Sequence, residues 1–213
     1  MKKVLLFGGT GGIGRGLTEI LKNDFECISV GSTQCDVSNE NDVKKFLSNT
    51  EYDVIIYLSV KNINGELHKQ TNDNIKSQLD VNVLGFLNVL RYSTDYLRTK
   101  GYGRIIYISS ILSEKPIKGA GIYSATKSFC DNIIKTYSIE NSKYGITSNS
   151  IQLGYFNDGL TNKINENIKN KVLNNIPLKR FGIVDEICPI IKSIINVEYI
   201  NGSIISITGG LWE

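Results

Sequence analysis

Residues 4–14 read Val4-Leu5-Leu6-Phe7-Gly8-Gly9-Thr10-Gly11-Gly12-Ile13-Gly14, and this stretch decides the fold of the chain. An apolar run leads into a glycine-rich segment, and the helix-like residues 17–21 follow. This order predicts a strand, a tight turn and a helix. Glycines let the backbone approach a pyrophosphate closely, and the N-terminus of the next helix presents unpaired N–H groups to an anion. The stretch therefore predicts a phosphate-binding turn, with an ordinary tight connection as the alternative.

Beyond this stretch, apolar runs and helical segments alternate along the chain. The runs at residues 54–58 and 105–108 lack period-two alternation, as expected of strands buried on both faces. The predicted helical segments lie at about residues 42–48, 74–98, 120–143 and 184–196. The alternation predicts an α/β fold, in which a doubly wound, Rossmann-like parallel sheet forms a single nucleotide-binding domain over residues 1–213.

Three residues in the middle of the chain carry chemistry. Tyr123 and Lys127 are one helical turn apart, and Ser110 stands 13 residues before Tyr123 at the end of an apolar run. The same Tyr-Lys spacing occurs twice more in the chain, but only this copy has a serine at that distance. An ammonium beside a phenol lowers the phenol's pKa from about 10. A serine hydroxyl polarises a carbonyl oxygen by hydrogen bonding. The pattern therefore predicts proton transfer in carbonyl/alcohol redox chemistry.

These residues, in this order, resemble the short-chain dehydrogenase/reductase family, and the resemblance runs nearly end to end. Its landmarks here are Gly8-x-x-x-Gly12-x-Gly14, Asp36-Val37, Asn82 within residues 81–85, residues 103–110 ending on Ser110, Tyr123 to Lys127, residues 146–149 with Leu153-Gly154, residues 176–182, and Thr208-Gly209-Gly210. The last two are typical of the subgroup that resembles 3-oxoacyl-[acyl-carrier-protein] reductases.

The resemblance implies a role for each of these positions. The catalytic residues would be Asn82, Ser110, Tyr123 and Lys127. Lys127 would also hold the nicotinamide ribose, and Asn82 would position a water through which Lys127 exchanges protons. The implied cofactor-binding residues are Gly8, Thr10, Gly12, Ile13, Gly14, Ser32, Asp36, Val37, Ser59, Tyr123, Lys127, Gly154 and Phe156. Asp36 and Val37 would contact adenine.

The second strand is followed by an unusually short connection. Residues 28–30 reach residues 35–37 through only Gly31, Ser32, Thr33 and Gln34. The family places a helix and a third strand here, and a parallel crossover needs about a dozen residues or more. Four residues cannot hold that helix. The sequence therefore predicts a sheet of six strands, in which the usual third strand and its preceding helix are lost.

The same connection bears on the cofactor. A carboxylate at the end of the second strand pairs with the ribose 2′-OH and excludes a 2′-phosphate. Here Gly31, Ser32 and Thr33 provide none, although no arginine stands beside them in the sequence. The serine and threonine could bind a phosphate, or they could simply be turn residues. The prediction favours NADP(H), with NAD(H) as the alternative.

One departure from the family pattern keeps a second class of function open. After the strand at residues 54–57 the family has small residues against the cofactor ribose, and Val60 stands where glycine is usual. Its branched side chain would shift the backbone or narrow the cleft. A catalytically idle nucleotide-binding scaffold is therefore the alternative to an enzyme, although all four catalytic positions are retained.

The substrate is the least determined property. The family resemblance makes a 3-oxoacyl thioester, free or carrier-bound, the default carbonyl substrate, with a sugar or nucleotide-sugar as the alternative. Residues 155–175 would cover it as a short polar lid, or form a solvated surface helix. Lys179 and Arg180, near the end of the lid, could meet a phosphate or make local ion pairs.

Composition argues against several other classes of function. With 24 basic and 21 acidic residues the net charge is only +3, which gives no indication of nucleic-acid binding. Four cysteines without C-x-x-C spacing and one histidine predict no metal site, and reduced thiols fit a cytoplasmic protein. No apolar run approaches the ~20 residues of a membrane span. By family resemblance, the long helices at residues 74–98 and 120–143 predict a homodimer or homotetramer.

Overall fold

The computed structural model describes residues 1–158, 161 and 165–211, and in this part of the chain six parallel strands form one sheet. The strands are β1 (Lys3–Phe7), β2 (Glu26–Val30), β3 (Val54–Tyr57), β4 (Gly103–Ser110), β5 (Ile146–Leu153) and β6 (Ile204–Ile207). Their spatial order is β2-β1-β3-β4-β5-β6, so the chain first winds to one side of β1 and then to the other. The predicted doubly wound, Rossmann-like sheet is confirmed.

Helices cover both faces of this sheet. They are α1 (Gly12–Leu21), α2 (Glu40–Ser48), α3 (Asn72–Leu79), α4 (Gly85–Lys100), α5 (Gly121–Asn141), α6 (Glu166–Asn175) and α7 (Cys188–Asn196). A π-helical segment, Asp80–Leu84, joins α3 to α4, so that the predicted long helix contains one irregular turn. None of the helices in the described ranges is long and apolar enough to cross a membrane.

The connection from β2 to α2 confirms the predicted loss of a strand. Residues 31–39 contain no strand; instead the N–H groups of Gln34 and Cys35 both donate to the Gly31 carbonyl oxygen at 3.0 Å. Gln34 Oε1 accepts from the Gly31 N–H at 2.6 Å and closes the turn. The buried Cys35 and Val37 then join the core on the way to α2. A compact turn thus replaces the crossover helix and strand.

The two faces of the sheet form two separate apolar clusters. Leu5 and Phe7 of β1 pack with Tyr57 and Phe86 on the face covered by α2, α4 and α5. Their neighbours along the strand, such as Leu6, point to the opposite face, which α1 and α7 cover. Because successive strand residues point to opposite faces, only a strand buried on both sides has such an unbroken apolar run.

Candidate active site

A cleft of about 580 Å³ lies at the carboxyl ends of the strands, where an open parallel sheet binds its ligands. The predicted site residues that line it are Gly8, Thr10, Gly12, Ile13, Gly14, Ser32, Asp36, Val37, Ser59, Ser110, Tyr123, Lys127, Gly154 and Phe156. Asn82 is the predicted site residue that does not. The fold therefore brings residues from five separate strand ends to one place.

The turn between β1 and α1 has the geometry of a phosphate cradle. Gly8 adopts a positive φ of 87°, and a Cβ there would lie 2.7 Å from the Ser59 backbone nitrogen. A Cβ at Gly14 would lie 2.3 Å from the Gly8 carbonyl oxygen. The N-cap of α1 is Gly11, so no side chain caps the first N–H groups of the helix. These groups remain available to an anion, and the residues present fit a dinucleotide pyrophosphate.

Arg15 lies beside the glycine-rich turn and was missed by sequence reasoning. Its Nη2 atom donates to the Thr10 carbonyl oxygen at 3.2 Å. Thr10 in turn packs against the turn after β2, since a Cβ at Gly31 would meet Thr10 Oγ1 at 2.7 Å. The available signal was its place directly after Gly14, because helical side chains lean back towards the N-terminus. Arg15 thus adds an exposed cation beside Thr10, which packs against the turn that contains Ser32 and Thr33.

Asp36, predicted to contact adenine, is held by its own loop. Its Oδ1 atom accepts hydrogen bonds from the Ser38 N–H at 3.0 Å and from Ser38 Oγ at 2.7 Å. Asp36 and the buried Val37 both border the cleft, and their contact with adenine stays a prediction.

One part of the cleft is lined by Ser110, Tyr123 and Lys127, and all three side chains are buried. Ser110 is the last residue of β4, and its Oγ accepts from the Leu112 N–H at 3.2 Å. Tyr123 and Lys127 project from the first turns of α5. Lys127 Nζ donates to the Ile108 carbonyl oxygen at 2.6 Å and lies 4.6 Å from the centre of the Tyr107 ring. The predicted constellation is therefore assembled between β4 and α5.

Burial shifts the pKa values of this pair away from their ordinary ranges. It raises the pKa of Tyr123 to about 12, an effect that hydrogen bonding with Ser110 opposes. It lowers the pKa of Lys127 to about 8, opposed by Cys130 and Asp131. The expectation that Lys127 lowers the phenol's pKa is wrong for this structure, since Lys127 Nζ contacts Ile108 and lies 5.7 Å from the Tyr123 ring centre.

Asn82 occupies the π-helical segment and lies behind the cleft. Its Oδ1 accepts from the Lys61 N–H at 2.7 Å, and its Nδ2 donates to the Lys61 carbonyl oxygen at 2.9 Å and to Thr126 Oγ1 at 3.1 Å. Protein atoms thus bond to both polar ends of the Asn82 side chain, and its role in positioning a water stays a prediction. Asn82 ties the loop after β3 to α5.

Val60 borders the cleft. Among the described residues other than glycine, only Lys179 has a positive φ, so Val60 does not occupy a conformation reserved for glycine. Both consequences predicted for a valine here, a shifted backbone or a narrower cleft, stay predictions.

The polar lid is described only in part. Gly159, Leu160 and residues 162–164 lie outside the described residues, and α6 follows them. Lys179 Nζ donates to the Asn174 carbonyl oxygen at 2.6 Å, and Arg180 forms an ion pair with Glu186. Lys179 and Arg180 therefore bond to groups close to them in the chain. Such local contacts were the predicted alternative to binding a phosphate. No group of metal-binding side chains occurs in the described ranges.

Comparisons with known proteins agree with this geometry. A family model described as enoyl-(acyl carrier protein) reductase matches residues 14–212. The 3-oxoacyl-[acyl-carrier-protein] reductase MabA of Mycobacterium tuberculosis (strain ATCC 25618 / H37Rv) is 24% identical and aligns over 99% of this chain and 92% of its own length. An acetoacetyl-CoA reductase of Shinella zoogloeoides is 34% identical over 67% of this chain and 61% of its own. A solved structure, "ElxO with NADP Bound", superposes with a TM-score of 0.88 at 20% identity, covering 99% of both chains.

Proposed function

The chain belongs to the short-chain dehydrogenase/reductase family, and from this premise we propose that it reduces a 3-oxoacyl thioester with NADPH, or oxidises the matching 3-hydroxyacyl thioester. It is an oxidoreductase acting on CH–OH and C=O groups. The observation that carries the proposal is the convergence of Ser110, Tyr123 and Lys127 on one cleft with the glycine-rich turn. A single domain over residues 1–213 holds the whole site.

The proposed chemistry follows from what these side chains can donate. NADPH held at the glycine-rich turn and by Lys127 would supply the hydride for the carbonyl carbon. Ser110 donates a hydrogen bond to the carbonyl oxygen and polarises it. Tyr123 gives that oxygen its proton; because its pKa is about 12, the phenol is protonated at neutral pH and ready to act as the acid. Lys127, with a pKa of about 8, is mostly cationic at pH 7, so its ammonium group would resupply the proton that Tyr123 gives up.

Two features support NADP(H) as the cofactor. The turn after β2 offers Ser32 and Thr33, both exposed, in place of the carboxylate that would exclude a 2′-phosphate. Arg15, which donates to the Thr10 carbonyl oxygen, is the cation that we assign to the 2′-phosphate. The similar solved structure has NADP bound, which is in line with this choice. NAD(H) is the alternative, and the two cofactors differ at the 2′ position that these residues would face.

The proposal of a thioester substrate rests on the similar proteins rather than on a contact within the structure. Both a 3-oxoacyl-[acyl-carrier-protein] reductase and an acetoacetyl-CoA reductase align with this chain. A sugar or nucleotide-sugar ketone remains the alternative substrate from the sequence.

The oligomeric proposal, a homodimer or homotetramer, concerns the outer faces of the long helices. Leu84, Phe129 and Ile139 are apolar side chains exposed on the π segment and α5. Light scattering coupled to size-exclusion chromatography tests it: a monomer at micromolar concentration would contradict it.

The first experiment is a fluorescence titration with NADPH and NADH, followed by turnover with acetoacetyl-CoA and with a nucleotide-sugar ketone. We expect tighter binding of NADPH and turnover of the thioester. Turnover of the sugar alone would reassign the substrate. Failure to bind either cofactor would favour the idle scaffold.

The cofactor choice has its own variant. Arg15→Gln should raise the Kd for NADPH about tenfold, because a hydrogen bond to a charged group contributes about 1.5–3 kcal/mol. The Kd for NADH should stay within about twofold. Lys22→Gln, at the other end of α1, is the matched control and should change neither. Equal weakening of both cofactors by Arg15→Gln would remove Arg15 from 2′-phosphate recognition.

A further inference from the structure

A buried carboxylate lies directly behind the catalytic residues. Asp131 is on α5, one turn beyond Lys127, and is only 4% exposed. Its Oδ2 atom accepts from Ser109 Oγ at 2.9 Å and from Gln152 Nε2 at 3.4 Å, and its Oδ1 atom accepts from Ser150 Oγ at 2.6 Å. Ser109 belongs to β4 and the other two donors to β5. One carboxylate therefore connects α5 to both β4 and β5.

Two of the groups that donate to Asp131, those of Ser109 and Gln152, lie close to Ser110 in the structure. Ser109 immediately precedes Ser110, and the strand register pairs it with Gln152. Gln152 Nε2 also contacts Ser113 Oγ and Glu114 Oε1, both at 2.9 Å, in the loop that follows Ser110. Both the strand end and the loop that position Ser110 are thus anchored to Asp131.

Core packing alone does not explain an aspartate here. Transfer of an ionised carboxylate into the interior is costly unless the charge is compensated. The partners within hydrogen-bonding distance are neutral hydroxyls and an amide, and no ion pair within 4 Å involves Asp131 in the described chain. Two lysines of α5, Lys127 and Lys135, stand four residues from Asp131, and of these Lys127 is buried whereas Lys135 is exposed. An apolar residue would pack at this position without that cost.

We propose that Asp131 is a positioning residue for the reaction, the buried counter-charge that keeps Lys127 cationic while it anchors Ser110. The inference rests on the proposed function only in giving Lys127 a part in proton transfer; the electrostatic pairing itself is a property of the folded chain.

The groups around Lys127 indicate how its pKa should change when Asp131 is removed. Among the described residues, the titratable groups that contact Lys127 or act on its pKa are Tyr107 of β4 and Tyr123, Cys130 and Asp131 of its own helix. The neutral Ser150 and Gln152 of β5 bond to Asp131, Glu114 lies beyond Gln152, and the neutral Asn82 of the π segment bonds to Thr126. Burial lowers the pKa of Lys127 to about 8, and Asp131 acts against it. Removing that charge should let the pKa fall further, so that Lys127 becomes neutral at a lower pH.

The test follows the titration of Lys127 by NMR in protein carrying carbon-13-labelled lysine, with the signal assigned by its loss in Lys127→Met. Asp131→Asn should lower the Lys127 midpoint by about one pH unit, the effect expected of a lost opposite charge nearby. Ser150→Ala removes a hydrogen bond but no charge, and should leave the midpoint unchanged. Asp95→Asn, an exposed site on α4, controls for net charge. An unmoved midpoint in Asp131→Asn, or an equal shift in Ser150→Ala, would overturn the proposal.

A measurement on the wild-type protein covers the case in which Asp131→Asn does not fold. The carboxyl carbon of Asp131 should show an ionised group throughout the range in which Lys127 loses its proton. A protonated Asp131 at neutral pH would overturn the proposal. Neither readout requires turnover, so a wild-type protein that reduces no ketone would refute the proposed function while leaving this pairing to stand or fall on its own.

With turnover in hand, Asp131→Asn should also move the alkaline limb of the kcat profile to lower pH by the same interval. A fall in kcat of equal size at every pH, with the limb unmoved, would assign Asp131 a structural role and overturn the proposal.

Discussion

The two ends of the sheet bury polar groups in different ways. At the amino-terminal end, Arg104 is 1% exposed, and its guanidinium donates to the carbonyl oxygens of Ile195, Gly103 and Gly145 and to Glu198. Close by, Asp53 accepts from the Lys3 N–H and pairs with Lys100, both at 2.7 Å. Arg104 and Asp53 thus both form their hydrogen bonds and ion pairs with groups of their own chain.

At the carboxyl-terminal end, the buried groups border a cleft. Ser110, Tyr123 and Lys127 line it, and burial holds the pKa values of Tyr123 and Lys127 near 12 and 8 respectively. The uncapped helix N-terminus of α1 lies in the same cleft. The comparison teaches that the amino-terminal end serves stability, whereas the carboxyl-terminal end keeps hydrogen-bonding capacity for a ligand. Substitutions at the two ends should therefore separate activity from stability.

The largest effect is expected at the carboxyl-terminal end. Tyr123→Phe should lower kcat by a factor of about 100 or more, in line with the loss of a general acid. The Kd for NADPH and the Tm should stay near wild type, because the ring and its packing are retained. Tyr137→Phe is the matched control. It removes a hydroxyl from the same helix as Tyr123, and that hydroxyl bonds to Thr94 of α4. Turnover near wild type in Tyr123→Phe would exclude Tyr123 as the acid.

The converse result is expected at the amino-terminal end. Arg104→Met should lower the free energy of unfolding by about 2–4 kcal/mol, because buried carbonyl oxygens lose their donor. The kcat of the folded protein should not change. Urea unfolding measures the first quantity and steady-state kinetics the second. Glu198→Gln is the control: its side chain is exposed, so the change should stay below about 1 kcal/mol. A fall in kcat in folded Arg104→Met would show that the two ends are coupled.

A smaller effect should appear in the acid dependence of stability. Burial acts to raise the pKa of Asp53, but hydrogen bonds from Lys100 and the Lys3 N–H outweigh it and hold this pKa below its ordinary value. The stabilisation is thus present above the unfolded-state pKa of about 3.9 and is lost as the pH falls through the lower folded-state value. Asp53→Asn should flatten the unfolding free energy below about pH 5. Asp95→Asn should keep the wild-type slope, and an unchanged slope in Asp53→Asn would contradict the assignment.

Much of the fold was predictable because it depends on short-range chemistry. Apolar runs and glycines fixed β1, the turn and α1, and simple chain length excluded a crossover between residues 31 and 34. The position of the site followed, since parallel strands bring their carboxyl ends together. Ser110, Tyr123 and Lys127 could therefore be placed at one cleft from spacing and order.

The features that were missed depend on geometry that spacing does not encode. Arg15 reaches Thr10 through a long flexible side chain. Asp131 meets Ser109 and Gln152 only because β4 and β5 pair in one particular register. The pKa of Tyr123 was predicted in the wrong direction because the balance between burial and a nearby charge depends on where Lys127 Nζ points.

The smallest effect is expected at Val60, which lies at the wall of the cleft. The structure holds this residue in a conformation open to any side chain, so Val60→Gly should cost about 0.5–1 kcal/mol of stability through greater freedom of the unfolded chain. The Kd for NADPH should change by less than about threefold, since the pyrophosphate would bind at the glycine-rich turn and not at this wall. Val60→Ala is the intermediate control. A large gain in affinity in Val60→Gly would show instead that the valine blocks the cofactor, and would make the carboxyl-terminal end less ready for a ligand than its geometry implies.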